Sequence, residues 1–600
     1  MRVRTLALSV LPGAVAFLLV VGLRPIMPTN IAWLTEPDPA MQYMGWAFYR
    51  HEPWAGLAPI GVNARYGMEL GSSILYADAI PLLAIVFRPL SSLLPEPFQY
   101  FGLWLLVSFL LQSYFAWKLL GLTLTGQANG NQSGLAVRLL GAGLFVFAPP
   151  LLFRLSTGHY ALVGQWTLLA ALLLNLGRPR RPVAAWSALI LTTALIHTYL
   201  LAMVCFLWGS SWVSRSILAN RRWTIAALEI VWIACLVAGA LWEGGFFLVG
   251  SGRDMPGFGV YHMNLLAPIN PAGWSRVLPT LPGHDGDYEG FNFLGLGGIA
   301  LAILAVPAVT WLLARRMLSL RREWIPLGAT LTVLSLYALS NTIGFGSFTY
   351  TYALPDGVIS GLSTLRASGR LFWPAFYTLL LAAIAVIAKA CGRRVTTAVL
   401  AVLLVVQIVD MTPGWWPVRE KLTVPPERSW KSPLVASFWA EAGAEYSTLR
   451  RYPPRIRPGW EIWADYAQRH RMRTDVVYLA RYDRDRRAAL DERESAALLA
   501  GTFDRDTLYI LDENMWSRLG SIIDPRADLL AKIDGFFVLA PGWNARTRRP
   551  GAGTSFTPGA PPPGLASRGP QRPAPRLLRG ARAPRRASRG PQRPAPLDGT

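Results

Sequence analysis

Long apolar runs fill residues 5–411, and shorter alternations of apolar and polar positions follow them. Crossing a bilayer core takes about 20 mostly apolar residues in a helix. The stretches 5–23, 98–121, 138–155, 161–177, 182–197, 198–214, 223–249, 293–314, 324–340, 371–390 and 395–411 approach or meet that length. They predict about eleven transmembrane helices. The run 182–214 is too long for one helix and is split here into two short ones, with His197, Thr198 and Tyr199 as the turn. A further apolar stretch, PLLAIVFRPLSSLLP at 81–95, carries Arg88 and is bracketed by prolines. It is read as an interfacial or re-entrant helix inside one large outer loop, 24–97.

Basic residues orient the spans. With Arg2 and Arg4 on the cytoplasmic side, the segments sharing that side hold Lys118, Arg138, Arg178, Arg180, Arg181, Arg215, Arg221, Arg222, Arg315, Arg316, Arg321, Arg322, Lys389, Arg393 and Arg394. Glu36, Asp38, Glu52, Glu69, Asp78, Glu96, Asp254, Asp285, Asp287, Glu289 and Asp356 fall on the opposite side. This is the positive-inside distribution. It predicts a multi-pass protein of the inner (plasma) membrane with a cytoplasmic N-terminus, and it places everything after residue 412 outside.

Beyond the last span the periodicity changes. STLRRY (447–452), DVVYLARY (475–482), DTLYILDE (506–513) and FFVLAP (536–541) read as strands. WEIWADYAQRHRM (460–472) and RAALDERESAALLAG (487–501) read as helices. Alternating elements of this kind predict a small α/β layer domain over 413–545. The fold class is therefore a polytopic α-helical membrane protein, with a transmembrane module at 1–412 and a small extracytoplasmic α/β domain. Residues 546–600 form an Arg/Pro/Gly-rich tail expected to be disordered. The tail contains ASRGPQRPAP twice, at 566–575 and 587–596, a copy that fits a recent duplication or out-of-frame reading better than a selected module.

Composition supports the lipid assignment: 16% of residues are charged and 52% hydrophobic, where a soluble domain carries roughly 25% charged residues. The net charge of +23 suggests a nucleic-acid partner, but residues 546–600 hold 12 Arg against one Asp and lie on the outer side, so no nucleic acid is expected. Cys205, Cys235 and Cys391 fall in or beside apolar segments without metal spacing, so neither a disulfide framework nor a cysteine metal site is implied. The sequence lacks G-x-x-x-x-G-K-[ST], G-x-S-x-G and H-E-x-x-H, which argues against ATP hydrolysis and the common soluble hydrolytic chemistries.

Polar residues gather on the outer side. The first outer loop carries Glu36, Asp38, Arg50, His51 and Glu52, and returns through Asp78. His159 and His197 end spans on that side, and STLRASGRLFWP (363–374) brings Arg366 and Arg370 there. Each has a structural alternative. Asp38 suits a helix N-cap with Pro39 at the first helical position. Asp78 suits a cap for the 79–94 segment. The histidines suit helix-end hydrogen bonds, and the arginines suit lipid head groups. His284 and Asp285 are read as loop residues before metal ligands. Glu229, inside the seventh span, should face the bundle interior and pair there.

The stretches EPDPAMQYMGWAFYRHEPW (36–54, preceded by LT), YADAIPLLAIVFRPLSSLLPEPFQYFGLW (76–104), STGHY, YEGFNFLGLG (288–297) and RASGRLFWP carry a resemblance over residues 1 to about 545. The layout resembles the GT-C superfamily of membrane glycosyltransferases, and more closely a family of bacterial polytopic membrane proteins placed near it. The resemblance implies transfer of a sugar from a polyprenyl-phosphate donor, held in the bilayer, to an envelope glycan or glycolipid acceptor. It puts Asp38 in the place of the superfamily's catalytic first-loop acid. Glu36 makes the motif Glu-Pro-Asp instead of Asp-x-Asp, which leaves metal use open, with a divalent cation as the candidate cofactor. Glu36, Arg50, His51, Asp78, His159, His197, Arg366 and Arg370 are the substrate-binding candidates. Arg366 and Arg370 are assigned to the donor phosphate by chemistry alone, because Arg holds phosphate oxygens through bidentate charge-assisted bonds. Two other readings remain: a transporter or flippase for a lipid-linked substrate, and a non-catalytic scaffold binding envelope partners through 413–545.

Overall fold

The computed structural model describes residues 3–547 apart from 55, 57, 125–132, 249–256, 319–320, 454–458 and 480. The tail from 548 onward lies outside the described residues. Helix α1 (Val3–Val20) leads into an outer loop that contains α2 (Pro37–Tyr49) and α3 (Pro81–Phe87). Then follow α4 (Phe101–Leu124), α5 (Ser133–Val146), α6 (Pro149–Ser156), α7 (Trp166–Gly177), α8 (Pro182–Ala194), α9 (Thr198–Val213) and α10 (Trp223–Glu243). After a long loop come α11 (Leu296–Ala314), α12 (Ile325–Leu339), the hairpin β1 (Thr342–Phe345) and β2 (Phe348–Thr351), α13 (Asp356–Leu362) and α14 (Trp373–Asp410).

Seven helical stretches are long and apolar enough to cross a membrane, and α1 and α8 are shorter apolar helices. The apolar windows of α10 and α11 are only 22% and 28% buried within the protein. On α10, Leu228, Val231 and Trp232 face outward. Such a surface is costly in water and free in hydrocarbon, where helices also satisfy their own backbone polar groups. The architecture is that of a membrane protein.

Two local features matter for topology. The apolar run 182–214 breaks where expected: α8 stops at Ala194, and His197 caps α9 by accepting the Tyr199 amide at 3.1 Å. Helix α14 contains Gly392 at φ 72° and ψ 172°, far from helical values. A side chain at Gly141 on α5 would meet Ile384, and one at Gly143 would meet Leu404. Residues 384 and 404 would be about 30 Å apart on a straight helix, yet both reach the same turn of α5, so the chain reverses at Gly392.

The 81–95 stretch does not span. Only seven residues of it are α-helical, followed by a 3-10 turn. Arg88 is buried, donating to the carbonyls of Ile60, Glu52 and Pro53, with its guanidinium over Tyr49 and Trp54. It fastens the outer loop to itself.

The C-terminal region opens with α15 (Thr412–Leu422) and α16 (Ser437–Glu445). Then come β3 (Thr448–Tyr452), α17 (Trp460–Arg469), β4 (Arg473–Thr474), α18 (Arg484–Leu499), β5 (Thr507–Leu511), α19 (Glu513–Leu519), β6 (Leu529–Ile533), β7 (Phe536–Ala540) and α20 (Trp543–Thr547). The five strands order as β4-β3-β5-β7-β6, parallel on the β4 side and antiparallel across β5-β7-β6. The strand expected over 475–482 does not form. Thr474 turns its backbone to the outer loop, donating to Arg65 O and accepting from Gly67 N, and the chain leaves the sheet there. Residues 475–479 then run as a strap over that loop, with Val476, Val477 and Leu479 buried. The C-terminal region is thereby bonded to the first outer loop. Arg450 on β3 joins Glu69 at 2.6 Å and Asp475 at 2.8 Å, and Arg493 on α18 also reaches Glu69.

Candidate active site

Helix α2 begins one turn's fraction earlier than its sequence suggests. Glu36 occupies the N-cap position with no side-chain cap bond, and Pro37 starts the helix. The cap reading of Asp38 is thereby replaced: Asp38 lies in the first turn, with its carboxylate turned across the loop to His159, Oδ2 to Nε2 3.4 Å. His159 follows Gly158, whose φ of +74° and tight seat against Pro39 bring the STGHY turn onto the start of α2. Gln42 on α2 donates to the Gly158 carbonyl at 2.7 Å and locks the same contact.

A second acid–histidine pair stands beside the first. Asp78 has φ +49° in the loop that precedes α3. It does not cap that helix, because Ile80 holds the N-cap position. Its Oδ1 faces His197 Nε2 at 3.7 Å.

Both histidines are oriented from behind by donors. The Arg154 guanidinium approaches His159 Nδ1 at 3.2 Å, and the Tyr199 amide donates to His197 Nδ1. A ring nitrogen facing a donor must carry a lone pair, so in each neutral ring the Nε2–H points at a carboxylate. Asp38, His159 and Asp78 keep 13%, 19% and 25% of their side-chain surface accessible, so the pairs line a partly accessible recess.

Behind the recess lies a buried ionic triad. Glu289 accepts from Arg154 at 2.7 Å and from Arg370 through Nε at 2.9 Å and Nη2 at 2.7 Å. Arg154 also donates to the Glu289 carbonyl, and Arg370 lies 4.7 Å over the Tyr199 ring. Burial alone would raise the Glu289 carboxyl, but the charges of Arg370 and Arg154 hold it well below the usual carboxylate range. Two guanidiniums against one carboxylate leave a net positive charge beside the acids.

That charge meets an opposing effect at Asp78. Burial raises its carboxyl, Arg370 lowers it, Asp38 raises it and Arg481 lowers it, and the balance is a pKa of about 7. Burial and Arg370 push His197 well below its ordinary value, so its ring is neutral at pH 7.

Of the residues expected at the site, Asp38, Asp78, His159, His197 and Arg370 converge. Glu36 turns away to Lys421 at 2.6 Å. Arg50 and His51 belong elsewhere, as they sit at the far end of α2, about 18 Å along its axis from Asp38. Arg50 donates to the carbonyls of Pro95, Ser91 and Leu94, and His51 pairs with Glu96 at 3.3 Å. Their role in this structure is to close the outer loop. Arg366 is half-buried in the turn before the Arg370 segment. Arg370 does not offer a free fork to phosphate, because its Nε and Nη2 are engaged by Glu289. Glu229 pairs with Arg215 and Arg221 and accepts from Trp208, as expected of a buried structural acid. His284 and Asp285 form no metal site. The Asp287 carboxylate instead accepts the His284 amide, and among the described residues no three His, Cys, Asp or Glu side chains come together to hold a metal.

A family profile described as "Domain of unknown function (DUF6311)" matches residues 10–412, and one described as "DUF6311 C-terminal domain" matches 438–541. The chain belongs to the DUF6311 family. No curated protein matches it.

In this DUF6311 chain, sequence reasoning passes over Arg154 and Glu289, the residues that organise the site. A signal existed for the first: an arginine within an apolar helical stretch, five residues before His159, is expensive in a membrane protein and therefore points to function. Glu289 gave no comparable signal among the acids of a long glycine-rich loop.

Proposed function

We propose that the protein is a GT-C-type membrane glycosyltransferase, transferring a sugar from a polyprenyl-phosphate donor to an envelope glycan or glycolipid acceptor. The observation that carries this reading is the accessible recess where two acid–histidine pairs meet a buried, net-positive arginine pair. Asp38 takes the acceptor hydroxyl proton while the acceptor oxygen bonds to the anomeric carbon. The anomeric carbon–phosphate oxygen bond breaks, and the lipid phosphate leaves with the electron pair. Attack opposite the leaving group inverts the anomeric centre. His159 faces Asp38 Oδ2 and orients the carboxylate for that transfer. Arg370 and Arg154 offset the charge that develops on the phosphate.

The same reading carries about eleven spans, a cytoplasmic N-terminus and a recess open to the extracytoplasmic face. The reversal at Gly392 and the break at His197 support the span count, and the basic residues support the orientation. A bilayer-bound donor explains why the acids sit at helix ends and not in a soluble domain. Transport loses its motivating residue, since Glu229 is fully engaged with Arg215 and Arg221.

The test is transfer from a synthetic polyprenyl-phosphate sugar by the full chain in proteoliposomes. Asp38→Asn should lower the rate by roughly 10²–10⁴-fold, the contribution of a positioned general base. It should leave the melting transition in place. Normal product from that variant would sink the assignment.

A further inference from the structure

The strap that follows β4 has a destination. After β4 it crosses the outer loop, where the Tyr66 hydroxyl donates to the Tyr478 carbonyl at 3.3 Å. Its end carries Arg481 to the membrane module: Nη2 donates to the Thr364 carbonyl at 2.5 Å. Thr364 lies in the turn that leads to Arg366 and then to the Arg370 segment. A residue of the C-terminal domain therefore reaches the rim of the recess.

Its charge differs in kind from the buried pair. Arg154 and Arg370 are bonded to Glu289, whereas the Arg481 bond goes to a neutral carbonyl. Arg481 is half-buried, and among the described residues it forms no ion pair with a carboxylate. Its field reaches inward to both members of the second acid–histidine pair, Asp78 and His197.

We infer that Arg481 is an anion-binding residue of this site, supplied by the C-terminal domain, and that it holds a phosphate ester at the seam between that domain and the turn 363–366. The inference rests on the transferase reading for its ligand class and names the residue that grips the donor's phosphate. A guanidinium suits this task because its planar fork makes paired charge-assisted bonds to phosphate oxygens. Arg370, first assigned to this task, instead supplies the charge behind it.

The test uses the full chain in nanodiscs, with farnesyl phosphate and inorganic phosphate as separate probes. Wild type should bind farnesyl phosphate saturably. Arg481→Ala should weaken that binding at least tenfold, and Arg481→Lys should restore part of it. Arg486→Ala is the control, because Arg486 lies just beyond the strap and bonds the Leu248 carbonyl instead. Inorganic phosphate binding that weakens in parallel marks a site for phosphate itself, and binding of farnesyl phosphate alone marks a lipid-linked source. Both outcomes support the inference. A pH series separates grip from mere structure. Four groups face Asp78: His197 from the start of α9, Arg370, Asp38 and Arg481. Removing the Arg481 charge should move the titration midpoint of binding upward, and an unchanged midpoint counts against the inference. Wild-type affinity in Arg481→Ala overturns it and leaves the Asp38 test standing. A folded wild type that binds neither probe overturns this inference and the transferase reading together.

Discussion

An aspartate with a pKa of about 7 is half ionised where most carboxylates are fully so. At Asp78 the cost of burial exceeds the help of Arg370, and the nearby Asp38 adds to that cost. The folded chain therefore binds a proton more tightly than the unfolded chain. Its stability from this group is present at low pH and is lost as pH rises from about 4 to about 7. Asp78→Asn keeps the shape and removes the ionisation. Its melting temperature should therefore exceed that of wild type by a margin that grows from pH 4 to pH 8; a margin that is constant or shrinks would show that Asp78 ionises normally. His197 opposes this trend, because its ring is neutral in the fold yet takes up a proton below its ordinary value in the unfolded chain; wild type and variant share that contribution, so it cancels in the margin. The same residue-scale physics explains which site members the sequence revealed. Acids and histidines at helix ends announce themselves. Their partners, Arg154 and Glu289, come together only through contacts 135 residues apart in the chain.

Elements place those residues, and here small backbone features decide the geometry. Gly158 is the clearest: a Cβ at this position would stand 2.5 Å from Pro39 Cδ, on a backbone already at φ +74°. The turn must then shift away from α2 and take His159 off Asp38. Gly158→Ala should lower transfer at least tenfold while the helices still form, since small displacements of catalytic groups are costly. Full activity in that variant would separate His159 from the chemistry. Helices were the legible elements, because apolar runs of that length have few alternatives in lipid. The expected strands 447–452, 506–513 and 536–541 correspond to β3, β5 and β7. The strap misled for a physical reason: DVVYLARY has the apolar content of a strand, but its side chains bury against a loop from another part of the chain. Strand propensity reports half-buried extended backbone and cannot say whether a sheet neighbour is present. The hairpin β1–β2 and strand β6 went unread, being short and without strong alternation.

At the scale of the whole molecule, the two matched regions are fastened together where the outer loop meets the sheet. Arg450 reaches Glu69, Thr474 bonds Arg65 and Gly67, and Tyr66 meets Tyr478. Truncating the chain after residue 422 strips these partners from 24–97 in one step. The truncated protein should still insert, but its loop 24–97 should be cut by added protease at sites protected in the full chain. Equal protection would mean that the loop holds its own fold.

Those same contacts set a schedule for synthesis. Glu69 is made early, and Arg450, its partner, lies 381 residues later. At translation rates of 5–20 residues per second the interval is roughly 20–80 s. Throughout it, the loop that bears Asp38 and Asp78 waits with its binding edge bare, while helix after helix is made behind it. A newborn chain therefore lacks the contacts that fasten this loop until its last domain has been made.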